Sequence, residues 1–78
     1  MIKVRILTPE WSREFETDAI FLPGELGEFE VLVNHAPIIS TLTAGSIKWR
    51  QGESLESMPI SGGVMRLKDN VMSVCAEI

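Results

Sequence analysis

Few side chains in this sequence could carry chemistry: one histidine, one cysteine, two closely spaced carboxylate pairs, some serines and a Ser-Gly-Gly run. His35 is the single histidine, so a two-histidine metal site cannot form, and a mixed set would have to recruit Cys75 and a carboxylate from distant parts of the chain. A turn or interface position is the plainer expectation for it. Glu14/Glu16 and Glu28/Glu30 are spaced i,i+2, which on a strand puts both members of a pair on one face. General acid–base work needs a pocket that drives two such pKa values apart, and both pairs read instead as solvated strand faces. Ser12, Ser40 or Ser61 could in principle join His35 and an acid as a nucleophilic triad, yet no Gly-x-Ser-x-Gly elbow is present. Ser61-Gly62-Gly63 leads into Val64-Met65-Arg66-Leu67, a strand pattern, whereas a phosphate loop must lead into a helix N-terminus with a lysine nearby. It is expected to be a tight turn, or a bulge where another backbone comes close. Neither a catalytic residue, a metal nor a cofactor is expected.

The elements that hold these groups read as short strands throughout. Ile2, Val4 and Ile6 alternate with Lys3, Arg5 and Leu7, and Pro9 in Thr8-Pro9-Glu10 stops that strand because it has no donor. Trp11 to Thr17 is a second, more exposed strand. Asp18 turns the chain into the apolar strand Ala19 to Leu22, which Pro23-Gly24 ends. Later strands are expected over Ile38 to Leu42, Ser46 to Arg50, Leu55 to Ile60, Val64 to Lys68 and Val71 to Ala76. Thr43-Ala44-Gly45, a four-residue loop Gln51-Gly52-Glu53-Ser54, Ser61-Gly62-Gly63 and Asp69-Asn70 separate them. Pro59 confines its strand to a sheet edge or places it at the strand's end. About eight to ten short strands with no amphipathic helix predict an all-β fold, a small antiparallel sandwich or flattened barrel.

Composition bounds the function classes. A chain of 78 residues is expected to form one domain over 1–78; chains this small bury only about 60% of their unfolded surface, so stability is marginal and a large cavity does not fit. Apolar residues at 45% and charged ones at 23% are ordinary globular composition rather than disorder. The net charge of −4, with seven Lys and Arg scattered along the sequence, argues against nucleic acid. No long apolar run is present, so any membrane association would go through partners. Cys75, flanked by Val74 and Ala76, is expected to be buried and inert, and a lone cysteine fits a reducing compartment. Met1, Met58, Met65 and Met72 read as core filler, and of Trp11 and Trp49 an exposed one would make a binding anchor.

The stretch Gly24 to Ile39 organises the rest. Gly24 and Gly27 permit a tight exposed turn over Leu22 to Gly27, with Glu28 at its rim. Phe29, Val31 and Val33 form one face of the next strand. Asn34 ends it in a left-handed conformation, and Pro37 keeps Ala36 extended before Ile38 and Ile39 restart a strand.

Leu22-Pro23-Gly24, Gly27-Glu28-Phe29, His35-Ala36-Pro37-Ile38-Ile39, Gly45-Ser46-Ile47, Ser61-Gly62-Gly63 and Asn70-Val71, in that order and spacing, resemble the N-terminal β-sandwich of the F-type ATP synthase epsilon subunit. The resemblance covers essentially the whole chain. Phe29-Glu30 stands where the family usually has Leu-Gly, and Val33-Asn34 where it has Pro-Gly; asparagine for glycine is mild at a left-handed position. The resemblance implies a non-catalytic rotor part at the foot of the central stalk, clamping the gamma shaft to the ring of c subunits. It would meet the catalytic alpha/beta hexamer only indirectly. The expected location is peripheral, on the cytoplasmic face of a bacterial energy-transducing membrane. Carried over by position, Leu26, Gly27 and Glu28 would face the c-ring. His35, Ala36, Pro37 and Ser40 would lie against gamma, with Ser61, Gly62 and Gly63 near the same surface. Family members commonly continue into a C-terminal helical hairpin, said to brake hydrolysis; with the chain ending at Ile78, that hairpin is expected to be absent. The alternative is a peptide- or small-ligand-binding sandwich that adds a strand at an edge such as Met58-Pro59-Ile60. A minimal hydrolase centred on His35 is a third reading.

Overall fold

The computed structural model describes residues 1–78 as nine strands and no helix. They are β1 (Ile2–Leu7), β2 (Ser12–Thr17), β3 (Ala19–Gly24), β4 (Gly27–Leu32), β5 (Ile38–Leu42), β6 (Gly45–Gln51), β7 (Ser54–Ile60), β8 (Gly62–Lys68) and β9 (Val71–Glu77). They follow the order β2-β1-β9-β8-β5-β3-β6-β7, with β4 paired to β3, so one continuous sheet curls on itself into a half-barrel. The alternation that predicted the strands also sets what they bury. Ile2, Val4 and Ile6 of β1, Met65 and Leu67 of β8, and Met72, Val74 and Ala76 of β9 all point inward. Ile20 and Leu22 of β3 and Ile47 and Trp49 of β6 meet them from the opposite wall.

The curl closes where β2 approaches β6. The Phe15 ring stacks on Trp49 with centroids 4.3 Å apart, and the Arg13 guanidinium lies 5.1 Å from the Trp49 ring centre. Trp49 Nε1 donates to Gln51 Oε1 at 3.2 Å. Buried Thr17 accepts from the Ala19 N–H at 3.3 Å and donates to the Arg50 carbonyl at 2.8 Å, fastening the β2–β3 turn to β6. The two tryptophans thus divide: Trp49 is core, and Trp11, beside the Thr8-Pro9-Glu10 turn, is exposed.

Several expectations need correction. The sheet is not wholly antiparallel, because β1 and β9 pair in parallel, Val4 opposite Met72 and Ile6 opposite Val74. Alternation reports which face a residue takes, not the direction of its neighbour, so the chain's first and last strands met unannounced. Cys75 is exposed rather than buried. Its flanks Val74 and Ala76 point inward, so strand geometry turns Cys75 outward. Met1 is likewise exposed, leaving three methionines in the core. Pro23 and Gly24 continue β3, paired with Glu28 and Gly27, so the loop before β4 is only Glu25-Leu26. Gln51 pairs with Ser54, which shortens that loop to Gly52-Glu53. Val33 lies beyond β4 and is exposed.

Gly62 and Gly63 belong to β8 rather than breaking the chain. A Cβ on Gly63 would stand 2.4 Å from the Cys75 carbonyl oxygen, so the expected close backbone approach is real. Pro59 sits in β7, the end strand of the sheet, as its missing donor requires.

Candidate functional site

The residues singled out for docking fall in three places. The first is the β3–β4 hairpin tip. Phe29 packs its ring where a Gly24 side chain would be, 2.9 Å from the Cβ position, so the hairpin can pinch there only without a side chain. Gly27 follows with φ 126. The pinch thrusts Leu26 fully into solvent beside Glu25. Glu28 is half-exposed and reaches Lys48 Nζ on the same outer surface at 3.6 Å, an ion pair worth at most about 1 kcal/mol at such exposure. The tip leans beside β5: Glu25, Leu26, Gly27, Glu28, Ile39 and Ser40 border one shallow hollow.

The second place is the corner between β4 and β5. Asn34 takes φ 67, as expected of the residue that replaces glycine there. Its N–H donates to Asn70 Oδ1 at 2.6 Å, and Asn70 Nδ2 donates back to Asn34 Oδ1 at 2.9 Å. Asn70 belongs to the Asp69-Asn70 turn, where both residues have positive φ, 52 and 61, the signature of a type I′ hairpin. Its carbonyl also accepts the Lys3 N–H at 2.8 Å. One side chain and its carbonyl thereby tie the corner, the β8–β9 turn and the start of β1 together. The turn was legible from Asp-Asn; the reciprocal clasp was not, since no spacing marks a pair 36 residues apart. His35 is exposed, and its Nδ1 donates to the Ala36 carbonyl at 2.6 Å. Ala36 and Pro37 complete the exposed corner.

The third place is Ser61-Gly62-Gly63, whose Ser61 N–H donates to the Glu77 carbonyl at 2.7 Å. It does not adjoin the corner. Along the β5–β8 ladder Leu42 pairs with Gly63 and Ile38 with Leu67, so the two groups stand at opposite ends of β5, roughly 13 Å apart at strand rise. Ser40 lies between them, half-buried, with its hydroxyl donating to the Thr41 carbonyl at 3.0 Å.

No three of the His, Cys, Asp and Glu side chains gather as metal ligands. His35 has no serine or carboxylate among its hydrogen-bond partners. The tip and the corner are solvent-facing projections rather than the walls of an enclosed cleft.

Residues 1–78 match throughout the family described as "ATP synthase, Delta/Epsilon chain, beta-sandwich domain". The chain belongs to that family. Proteins named ATP synthase epsilon chain are similar to this delta/epsilon sandwich. The one from Leptospira interrogans serogroup Icterohaemorrhagiae serovar copenhageni (strain Fiocruz L1-130) is 36% identical over 77 residues, covering 97% of this chain and 61% of the relative. The chloroplastic one from Tetradesmus obliquus is 40% identical over 78 residues, covering 96% of this chain and 56% of the relative. This delta/epsilon sandwich thus spans about three-fifths of the length of these relatives. Its fold is shared with a chain of the Euglena gracilis mitochondrial ATP synthase structure of OSCP, F1 and c-ring, at TM-score 0.87 and 22% identity over 96% of this chain and 49% of that one. A chain of the Tetrahymena thermophila mitochondrial ATP synthase central stalk and c-ring matches at TM-score 0.81 and 14% identity, over 99% of this chain and 63% of that one.

Proposed function

We propose that this delta/epsilon sandwich is a non-catalytic central-stalk element of a proton-translocating F-type ATP synthase, coupling the gamma shaft to the c-ring for rotary ATP synthesis. The family match over the whole chain carries the reading; the exposed tip and corner are what such an adaptor needs. Each elementary charge crossing 100 mV is worth about 2.3 kcal/mol, and an adaptor must transmit that work without yielding. Short strands cross-linked through 41 backbone hydrogen bonds supply the stiffness, and no titrating group is required. Leu26, Gly27 and Glu28 would meet the ring: an exposed leucine with carboxylates on either side suits polar loops carrying basic and amide groups. His35, Ala36, Pro37 and Ser40 would meet gamma, as would Ser61, Gly62 and Gly63 at the far end of β5. In this role the domain is peripheral, on the cytoplasmic face of a bacterial energy-transducing membrane, and reaches the bilayer only through partners.

Glu28→Lys tests the ring contact. Losing the Glu28–Lys48 pair alters stability by at most about 1 kcal/mol, so the variant is expected to fold normally while its affinity for isolated c-ring falls about tenfold or more, as when a like charge faces an interface. Unchanged ring binding and coupling would remove Glu28 from the contact.

A further inference from the structure

Val33 to Pro37 joins β4 to β5, and every residue of this segment is exposed. Packing therefore cannot fix its shape, although Asn34 and Pro37 restrict their own backbones. Its hydrogen bonds are few. Two are local, from the His35 N–H to the Leu32 carbonyl at 3.3 Å and from His35 Nδ1 to the Ala36 carbonyl at 2.6 Å. The other two both run to Asn70: the Asn34 N–H donates to Asn70 Oδ1 at 2.6 Å, and Asn70 Nδ2 donates to Asn34 Oδ1 at 2.9 Å. Asn70 is itself well held, because it is half-buried, its carbonyl accepts the Lys3 N–H at 2.8 Å and its turn joins the paired strands β8 and β9. Both asparagines stand where glycine is the least strained choice. Asn34 has φ 67 and Asn70 φ 61, and the second central position of a type I′ turn favours glycine. Each thus carries a side chain at a left-handed position, and each uses it on the other.

We infer that Asn70 is a positioning residue for docking at the corner: acting through Asn34, its side chain holds Val33 to Pro37 in one shape before a partner arrives. This rests on the reading of the corner as the gamma contact. A loop that samples many shapes binds with an affinity reduced by the fraction of time it spends in the right one, and ordering loose side chains on association opposes binding. The reciprocal pair of hydrogen bonds removes both handicaps ahead of the encounter. Bonds this exposed add little to global stability, because water competes for the same groups; what they change is local order. They also alter how the corner is supported. The chain itself connects the corner only to β4 and β5, whereas Asn70, through its carbonyl and its turn, connects it to β1, β8 and β9 as well. A load applied at His35 or Pro37 is thereby shared across the sheet.

The test compares the 78-residue chain with Asn70→Gly, Asn70→Asp, Asn34→Gly and the double variant Asn34→Gly/Asn70→Gly. Glycine at position 70 keeps the left-handed turn and deletes only the side chain, so the fold is expected to survive with its melting temperature little changed. Aspartate keeps an acceptor for the Asn34 N–H and serves as the conservative variant. Backbone 15N order parameters at Asn34, His35 and Ala36 are expected at about 0.85 in the wild type and below about 0.6 in Asn70→Gly, with Asn70→Asp between them. Affinity for gamma is expected to fall about tenfold in Asn70→Gly, as the binding-competent fraction of the loop drops to roughly a tenth. Affinity for isolated c-ring is expected to stay the same, because the hairpin tip lies at the other end of β4. Asn34→Gly added to Asn70→Gly is expected to weaken gamma binding little further; fully additive losses would mean that Asn70 touches gamma directly and would overturn the positioning role. Unchanged order parameters in Asn70→Gly would overturn the inference whatever gamma does, and so would wild-type affinity for gamma in that variant. A wild-type domain with no affinity for gamma is instead a failure of the rotor reading, and the docking role falls with it; the order parameters still decide whether Asn70 holds the corner.

Discussion

Alanine at Gly63 is expected to lower the melting temperature by roughly 10–20 °C, while alanine at Gly62, one residue earlier, changes it little. A Cβ on Gly63 would lie 2.4 Å from the Cys75 carbonyl oxygen and 3.1 Å from the Ala76 Cα. Both obstacles are backbone atoms of β9, so the new methyl must lift β8 from its partner rather than displace a flexible side chain. Overpacking of that kind costs about 1–3 kcal/mol, and in a domain of this size each kcal/mol shifts the melting point by about 4–8 °C. At Gly62 the nearest atom is the Leu42 carbonyl oxygen at 3.5 Å, an ordinary contact. Thermal unfolding followed by circular dichroism separates the two variants. Equal effects would mean that the β8–β9 approach is looser than described, and that the Ser-Gly-Gly run serves some purpose other than close strand packing.

Trp49→Ala is expected to be the most damaging single truncation in the core, by about 3–5 kcal/mol, enough to leave a domain of marginal stability largely unfolded. Trp49 is almost wholly buried and carries the Phe15 stack at 4.3 Å, so its loss opens a large cavity and breaks the closure between β2 and β6 together. Trp49→Phe keeps an aromatic surface for Phe15 and loses only the indole's extra volume and its bond to Gln51; it should retain a cooperative transition at lower temperature. Trp11→Ala is the contrast: Trp11 is 41% exposed beside a surface turn, and an effect within about 1 kcal/mol is expected. Urea unfolding of the three variants gives the ranking. A Trp11 variant as unstable as the Trp49 one would place the barrel's seam elsewhere.

These contrasts show which parts of the architecture were legible in the residues. Period-two alternation located the strands and the inward residues of β1, β8 and β9, because a sheet with one buried face leaves little freedom in which side chains turn in. Asn34 and Pro37 marked the corner, since each restricts its own backbone whatever its surroundings. Direction and pairing were another matter. Nothing in Ile2–Leu7 or Val71–Glu77 tells that they run parallel, because pairing is decided by how the whole sheet curls. Cys75 was misjudged by its neighbours in sequence, when its neighbours on the face are Val64 and Leu7 across the register. At the candidate site, the tip and the corner followed from glycine, asparagine and proline, whereas the Asn34–Asn70 clasp and the separation of Ser61–Gly63 from His35–Pro37 are tertiary facts.

In the proposed role, projections of this domain dock onto other subunits and no bond is made or broken within it. Melting the purified domain with and without saturating gamma subunit tests it most directly. A partner that binds only the folded form adds RT ln(1 + [L]/Kd), about 2.7 kcal/mol at a hundredfold excess over Kd, and a melting point roughly 10–20 °C higher is predicted for a domain of this size. An unchanged melting point under saturating gamma would contradict the account.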